Sequence, residues 1–299
     1  MLIQKSLERV RENKLANDMY SLLVRLGMER FLIKIVYKWY ELKPTYKMQQ
    51  SSMYFNKHKE EIRELGKLLA DQQSKNVWLK MIKLRMTMDY RYHPSKDRPQ
   101  YFAKDLIQYD KNEVFIDCGA YDGKTSAEFM KYALNSGGGY KRVVIFEPDD
   151  LNMKKVKRNI KKSRDVVFIQ KGVWNKTMKL PFHSAGNEAS KVVEQAGSME
   201  EQPGVKIVSV AAMDDMRECQ DATFIKMDLE GAEMQALQGA ENLIKRNKPK
   251  LAVCIYHSDQ DMLEIIRYIH KIVPEYSLYV RQHSNGIGET VLYAVYKRT

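Results

Sequence analysis

The sequence predicts an α/β fold in which helices cover a mostly parallel sheet that ends in an antiparallel hairpin. From about residue 110 onward, short apolar runs rich in β-branched residues alternate with helical patterns, which is typical of parallel strands buried on both faces. The last two apolar runs alternate instead with period two around a glycine-containing turn, which is typical of a hairpin. Because the first hundred residues show only helical patterns, we expect a helical N-terminal extension at 1–100 and a sheet domain at 101–299.

The N-terminal extension carries apolar residues at helical spacing. They fall three to four residues apart at Leu32, Val36, Trp39 and Tyr40, and again at Ile62, Leu65 and Leu69. Pro44 is expected to end the first helical run, and the polar residues 49–53 to separate it from the next.

Strands and helices are expected to alternate in the sheet domain. The strands are predicted at 114–116, 143–146, 166–169, 224–227 and 251–255. The helices are predicted near 125–134, 150–162, 232–246 and 259–271. The closing hairpin pairs 276–282 with 290–296 through a turn at 284–288. Such alternation implies a doubly wound sheet, which binds its ligand at the carboxyl ends of the strands.

The net charge of +12 is unevenly distributed along the chain. Residues 1–100 carry 21 Lys and Arg against 11 Asp and Glu, whereas residues 101–299 carry 29 against 27. A nucleic-acid enzyme more often carries its basic residues beside the catalytic pocket, so we expect no nucleic-acid partner. The basic helices indicate a solvated surface, or a peripheral contact with a membrane or another anionic surface.

The cysteine content and the hydropathy pattern bear on localisation. Three cysteines, Cys118, Cys219 and Cys254, are too few for a disulfide framework and lack metal-ligand spacing. The sequence shows neither a signal peptide nor the ~18–20 apolar residues that span a bilayer. We therefore expect a cytoplasmic protein.

The turn after the first strand is the strongest motif. It contains two glycines and two acidic residues, Asp117 and Asp122. Carboxylates beside a pyrophosphate would repel it, which disfavours dinucleotides and nucleoside triphosphates. S-adenosylmethionine has an ammonium, a sulfonium and no phosphate, so the turn favours this cofactor; the alternative is a structural βα turn with solvated aspartates. The candidate cofactor contacts here are Asp117, Gly119, Ala120, Tyr121 and Gly123.

Two further segments supply candidate cofactor contacts. Glu147 follows the second strand, where a carboxylate can accept hydrogen bonds from both ribose hydroxyls. Gly172 and Val173 follow the third strand, where the adenine edge is expected to meet backbone groups. Trp174 fits this adenine site and the core equally well.

Acidic residues and a histidine follow the fourth and fifth strands. Asp228 could bind the methionyl ammonium, orient an acceptor hydroxyl or ligate a divalent cation with a neighbour, so a metal requirement stays open. Glu230 and Glu233 could complement the dipole of the next helix. His257 would suit a general base if its pKa is near the ordinary value of ~6.5. Asp228 and His257 are thus the catalytic candidates.

These segments together resemble the FkbM family of methyltransferases over roughly residues 100–299. The resemblance is carried by 117–123, 146–148, 226–233 and 288–294. It implies a class I, Rossmann-like domain that binds S-adenosylmethionine and O-methylates a hydroxyl of a sugar or natural product, as in polysaccharide biosynthesis. It also implies that Asp117, Gly119 and Glu147 contact the cofactor and that Asp228 lies between cofactor and acceptor. The acceptor itself is not implied.

Three other classes of function share some of these features. A nicotinamide-dependent oxidoreductase fits the α/β sheet but not the acidic turn or the closing hairpin. A non-catalytic module that binds S-adenosylmethionine, or a scaffold that acts through the basic helices, would keep the same motifs. A nucleic-acid methyltransferase is disfavoured, because residues 101–299 are nearly neutral and lack an Asn-Pro-Pro-Tyr-type segment after the fourth strand.

Overall fold

The computed structural model describes residues 45–160, 165–183, 191–192 and 205–296. The helical run predicted from Leu32 to Tyr40 lies outside these residues. Contacts divide the chain into two compact units: one combines the residues up to Gln100 with Val280–Thr290, and the other combines Tyr101–Tyr279 with the residues from Val291 onward. Within the described ranges, no helix is long and apolar enough to cross a membrane.

The first unit consists largely of helices in its described part. They are α1 Tyr46–Lys57, α2 Lys59–Leu68 and α3 Gln72–Thr87, followed by the 3₁₀ turn Tyr90–Tyr92. The polar break predicted at 49–53 is wrong, because these residues lie inside α1. Thr45 caps this helix by accepting a hydrogen bond from the Met48 amide. Met48, Ser51 and Phe55 then give the helix a buried stripe at helical spacing, which offsets its polar composition.

Arg281 ties the residues 280–290 to the helices of the first unit. Its guanidinium belongs to a side chain that is only 1% exposed, and it donates to the Asp71 carboxylate at 2.8 Å and to Ser74 Oγ at 2.8 Å. Asp71 also accepts the amide of Ser74 at 2.6 Å and so caps the N-terminus of α3. One buried cation therefore joins the start of α3 to residues that lie much later in the chain.

The described residues form strands that belong to two sheets. In chain order they are β1 Val114–Cys118, β2 Arg142–Phe146, β3 Val166–Ile169, β4 Gly172–Val173, β5 Met178–His183, β6 Lys191–Val192, β7 Val205–Ala211, β8 Phe224–Met227, β9 Lys250–Cys254, β10 Ser277–Gln282 and β11 Thr290–Val295. Seven form one sheet in the order β10-β11-β9-β8-β1-β2-β3, and four form a second in the order β4-β7-β5-β6.

The larger sheet confirms the predicted α/β architecture. β1 pairs in parallel with β2 and β8, β2 with β3, and β8 with β9. β11 is antiparallel to β9. All seven predicted strands are present, with boundaries that differ by at most two residues. The parallel strands β9, β8, β1 and β2 lie side by side, so the segments that follow them share one edge of the sheet.

The helices beside this sheet differ from the prediction at one position. They are α4 Lys124–Asn135, α5 Asp150–Asn159, α6 Glu233–Gln238, α7 Glu241–Asn247 and α8 Asp261–Ile272. The single helix predicted at 232–246 is therefore two helices. Between them the backbone of Gly239 approaches the Trp174 carbonyl so closely that an added Cβ would overlap the oxygen. This close approach, which the sequence periodicity does not reveal, breaks the helix.

The smaller sheet was not predicted from the sequence. β4 and β6 are only two residues long each, which is too short to show any period. β5 contains Pro181 in its middle, and Pro within a run argues against a strand. β7 exposes Ile207 (56% exposed), so it lacks the clean alternation of a half-buried strand.

An aromatic cluster holds the centre of the larger sheet. Phe115 of β1 stacks on Phe129 of α4, with 4.2 Å between ring centroids. Phe224 of β8 meets Phe115 edge-on at 5.2 Å, and Phe102 packs on all three. Offset and edge-to-face rings of this kind stabilise beyond their buried area. The cluster fixes β1 and β8, the two strands that carry the acidic motifs.

Candidate cofactor and active site

The turn after β1 requires glycine at position 119. The amides of Gly119 and Ala120 both donate to the carbonyl oxygen of Phe146, each at 3.1 Å, so the turn is held against the end of β2. Gly119 has a φ of +84°, and a Cβ added there would overlap the backbone carbonyl of Asp228. The turn therefore packs backbone against backbone between β1 and β8, and any side chain would separate them.

Glu147 lies at the same turn, with its carboxylate held by backbone amides. The side chain is 4% exposed; Oε2 accepts the amide of Tyr121 at 2.9 Å and Oε1 accepts that of Asp149 at 2.9 Å. Burial raises the pKa of Glu147 to about 7, although the two amide hydrogen bonds and the charge of Lys226 act against this rise. Each oxygen keeps a further lone pair, so the carboxylate can still accept two hydroxyl hydrogens.

Asp117 lies beneath the first motif in a buried ion pair. Its carboxylate is 3.0 Å from Lys226 Nζ, and both side chains are at most 2% exposed. It also accepts the hydroxyl of Ser126 at 2.7 Å. Lys226 donates in turn to the carbonyl of Gly119 at 2.7 Å. Burial acts to lower the pKa of Lys226, but the charge of Asp117 outweighs it and the pKa is raised. These contacts give Asp117 a role in supporting the turn, and its direct contact with a cofactor stays a prediction.

The Asp228 carboxylate accepts hydrogen bonds from two tyrosine hydroxyls, and the sequence patterns do not indicate either contact. Tyr101 donates to Oδ2 at 2.7 Å and Tyr256 to Oδ1 at 3.1 Å. Burial acts to raise the pKa of Asp228, but the charges of Lys226 and His257 outweigh it and the pKa is lowered. Tyr101 has a φ of +63°, which is costly for an aromatic residue and is found where the surroundings impose it. An aromatic residue just before the first strand carries no signal of this contact in the sequence.

Glu233 and His257 complete the cluster around Asp228. Glu233 is fully buried and accepts the amides of Leu229 at 2.6 Å and Gly231 at 3.1 Å. His257 Nδ1 lies 3.1 Å from Glu233 Oε1, and Nε2 lies 3.5 Å from Asp228 Oδ1. The prediction that Glu233 complements the helix N-terminus thus accounts for only part of its contacts.

The surroundings of His257 change the pKa expected from the sequence. Burial acts to lower its pKa, but the charges of Glu233, Asp228 and Glu230 outweigh it and raise the pKa to about 9. The pKa of His257 is therefore higher than the ordinary value assumed from the sequence. Its role as a general base stays a prediction.

The predicted adenine segment lies in the smaller sheet. Gly172 and Val173 are buried in β4 and pair with Val210 and Ala211 of β7. Trp174 packs against Val210 in an apolar cluster, so the structure places its ring in the core. Adenine contact by Gly172 and Val173 stays a prediction.

The fold and this site together define a class of protein. The strand order, with a parallel sheet closed by an antiparallel strand and acidic residues at the carboxyl ends, is that of a class I methyltransferase fold. The model of the "Methyltransferase FkbM domain" matches residues 117–277, more than half of the chain. The protein belongs to the FkbM methyltransferase family.

The chain is similar to several solved structures of methyltransferases. A methyltransferase FkbM from Methylobacillus flagellatus KT is 26% identical with a TM-score of 0.68, and the match covers 82% of this chain and 60% of that one. The chain thus spans less than two thirds of that relative. An rRNA methylase from Streptococcus thermophilus is 15% identical over 64% of this chain and 89% of that one, with a TM-score of 0.38. Aeropyrum pernix fibrillarin with natively bound S-adenosyl-L-methionine is 12% identical over 64% and 71%, with a TM-score of 0.36. No curated protein sequence matches the chain.

Proposed function

We propose that the protein transfers a methyl group from S-adenosylmethionine to a hydroxyl of a sugar, a polysaccharide or a natural product. The proposal depends above all on one contact. Two backbone amides fix the buried carboxylate of Glu147 at the end of β2. A carboxylate held there suits the paired hydroxyls of a ribose. The choice of a hydroxyl acceptor rests on the family and on the acidic cluster at the neighbouring strand.

The turn after β1 and the end of β2 would hold the cofactor. Gly119, Ala120, Tyr121 and Gly123 would line it with backbone, and Glu147 would bind its ribose. When bound, S-adenosylmethionine supplies an already activated methyl group. What the chain must then supply is an acceptor oxygen in line with that methyl group and shielded from water.

The residues after β8 and β9 would hold the acceptor. Asp228, with two tyrosine hydroxyls on its carboxylate, is fixed in orientation and can position an acceptor hydroxyl. The hydroxyl must lose its proton as the oxygen–methyl bond forms. Asp228 and His257 are the two proposed proton acceptors.

Titration with S-adenosylhomocysteine tests the cofactor assignment without knowledge of the acceptor. We expect micromolar binding by calorimetry, and a loss of about 100-fold in Glu147→Ala, because two charge-assisted hydrogen bonds to the ribose are removed. Glu128→Ala, which removes an exposed carboxylate on α4, is the matched control and should bind as the wild type does. Thermal unfolding of both variants checks that they fold.

Two outcomes would overturn this assignment. If folded wild-type protein binds NADH but not S-adenosylhomocysteine, the oxidoreductase alternative takes its place. If Glu147→Ala binds S-adenosylhomocysteine as tightly as Glu128→Ala does, the ribose is held elsewhere.

The raised pKa of Glu147 predicts that cofactor binding depends on pH. Only the ionised carboxylate can accept both ribose hydroxyls. With a pKa of about 7, Glu147 is mostly ionised above pH 7, so the cofactor binds more tightly there. We expect the affinity for S-adenosylhomocysteine to fall about tenfold from pH 8 to pH 6. Asp149 and Lys226 are the charged groups that act on Glu147, and the raised pKa of Lys226 keeps its charge over this range.

Calorimetry at several pH values measures this effect. Glu147→Gln is the matched control, because it cannot ionise and should bind weakly with a flat pH profile. Equal slopes in the wild type and in Glu147→Gln would assign the pH dependence to another group.

We propose a cytoplasmic protein with a small-molecule or glycan acceptor and no nucleic-acid partner, on the basis of the cysteine content and the charge distribution given above. A peripheral contact of the basic helices with an anionic surface is proposed on the same charge distribution.

A further inference from the structure

We propose that Asp228, Glu233 and His257 bind one divalent first-row metal ion beside the acceptor position. The assignment of that ion to methyl transfer rests on the proposed function, whereas the binding site itself does not. Among the described residues, one carboxylate oxygen from each acid and one imidazole nitrogen all lie within 4.8 Å of one another.

The distances inside this cluster match those between ligands of one ion. Glu233 Oε1 lies 3.1 Å from His257 Nδ1, and Asp228 Oδ1 lies 3.5 Å from Nε2. Two ligand atoms at about 2.1 Å from an ion are roughly 3.0 Å apart at a right angle and roughly 3.4 Å apart in a tetrahedron. The two carboxylates face different ring nitrogens and one ion binds only one of them, so one carboxylate must move toward the nitrogen that the other already faces, in a cluster whose ligand atoms lie within 4.8 Å of one another.

The imidazole of His257 points to a ligand independently of the acidic residues. Its side chain is 9% exposed, and neither ring nitrogen has a hydrogen-bond partner of normal geometry in the described part of the chain. The carboxylates lie close to the nitrogens but off the hydrogen-bond direction. Buried polar atoms are nearly always satisfied by directed hydrogen bonds. A metal ion bound to one of the two ring nitrogens would satisfy that nitrogen.

The charge balance also favours a cation at this position. Glu230 Oε2 lies 3.8 Å from His257 Nε2, so three carboxylates surround a single imidazole. Lys226, whose charge also acts on Asp228, is held in an ion pair by Asp117. Two carboxylate oxygens and one imidazole nitrogen form a donor set that suits Mn²⁺ and Zn²⁺.

The proposed ligands are already oriented by hydrogen bonds. Tyr101 and Tyr256 donate to the carboxylate of Asp228, and backbone amides hold that of Glu233. Such contacts fix the direction of metal ligands and raise affinity. The positive φ angles of Glu230 (54°) and Gly231 (101°) fold the segment back, so that the residues before and after it face the same ring.

A metal ion at this place would assist methyl transfer to a hydroxyl. By coordinating the acceptor oxygen, the ion would lower the pKa of the hydroxyl and hold the oxygen toward the methyl group, while the Asp228 oxygen that does not ligate the ion would accept the hydroxyl proton. Asp228 is 21% exposed in its side chain, so one side of the cluster stays open to an acceptor.

The test uses the full chain and the metal alone. Protein stripped with EDTA is titrated with MnCl₂ at pH 8, and free Mn²⁺ is followed by its paramagnetic resonance signal, with competition by Zn²⁺. We expect one Mn²⁺ per chain, displaced by Zn²⁺, and at least about tenfold weaker binding in His257→Gln and in Asp228→Asn. His270→Gln, which removes a histidine of α8 outside the cluster, is the matched control and should bind as the wild type does.

Thermal unfolding and the S-adenosylhomocysteine titration complete the test. If the wild type binds neither Mn²⁺ nor Zn²⁺, or if folded His257→Gln and Asp228→Asn both bind Mn²⁺ as His270→Gln does, the metal site is refuted. Metal binding without S-adenosylhomocysteine binding would keep the site and overturn the proposed function. Binding of S-adenosylhomocysteine without binding of Mn²⁺ or Zn²⁺ would keep the proposed function and refute the metal site.

Discussion

Replacement of Lys226 by Met is expected to lower the free energy of unfolding by about 3–5 kcal/mol. The substitution removes the cation of a buried pair and leaves the Asp117 carboxylate, which is fully buried, without a countercharge. Loss of one member of such a pair is costly because the remaining charge stays desolvated. The carbonyl of Gly119 would also lose its hydrogen bond from the ammonium, so the turn should loosen and cofactor affinity should fall.

Urea unfolding measures this effect, and a second substitution identifies its cause. Adding Asp117→Asn to Lys226→Met removes the orphaned charge and should recover part of the lost stability. Lys141→Met is the matched control: Lys141 pairs with Asp221 at 2.7 Å with both side chains about half exposed, and such pairs contribute about 1 kcal/mol or less. If Lys226→Met and Lys141→Met lower the free energy of unfolding equally, the buried pair does not support the turn.

Replacement of Gly119 by Ala is expected to abolish cofactor binding and to destabilise the protein by on the order of 3 kcal/mol. Two effects combine in this variant. A φ of +84° is unfavourable for alanine, and its Cβ would overlap the carbonyl of Asp228. Relief of the overlap requires β1 and β8 to separate at the edge that carries both acidic motifs.

The control for this substitution lies in the same chain. Gly137 has a similar φ of +76°, but a Cβ added there meets no atom within 4 Å. Gly137→Ala therefore carries the backbone strain without the collision and should cost about 1–2 kcal/mol, with S-adenosylhomocysteine binding unchanged. Equal losses in the two variants would show that the close approach to β8 does not matter.

The larger sheet was predictable because its signals are local. Each of its strands is a short apolar run, and the period-two pattern of the last two strands indicates the hairpin on its own. The smaller sheet was not predictable, because β4 and β6 are two residues long and carry no period. The break at Gly239 depends on the position of Trp174, which is distant in sequence.

The candidate site was predictable where a residue follows a strand directly. Glu147, Asp228 and His257 follow β2, β8 and β9, so topology alone brings them to one edge. Tyr101 escaped prediction because it meets Asp228 from a position 127 residues earlier, and no periodic pattern marks it. The raised pKa of His257 escaped prediction for another reason: the pKa of a group depends on burial and neighbouring charges, which a sequence does not specify.

The contact between Arg281 and α3 bears on the order in which the molecule is completed during synthesis. Asp71 and Ser74 leave the ribosome early, but the cation that binds them follows Asp71 by 210 residues. Between the two, the strands β1 to β9 emerge and can already pair. The helices α1 to α3 therefore wait for residues that are translated after β9, and a chain that stops at Tyr279 would leave both of its units unfinished.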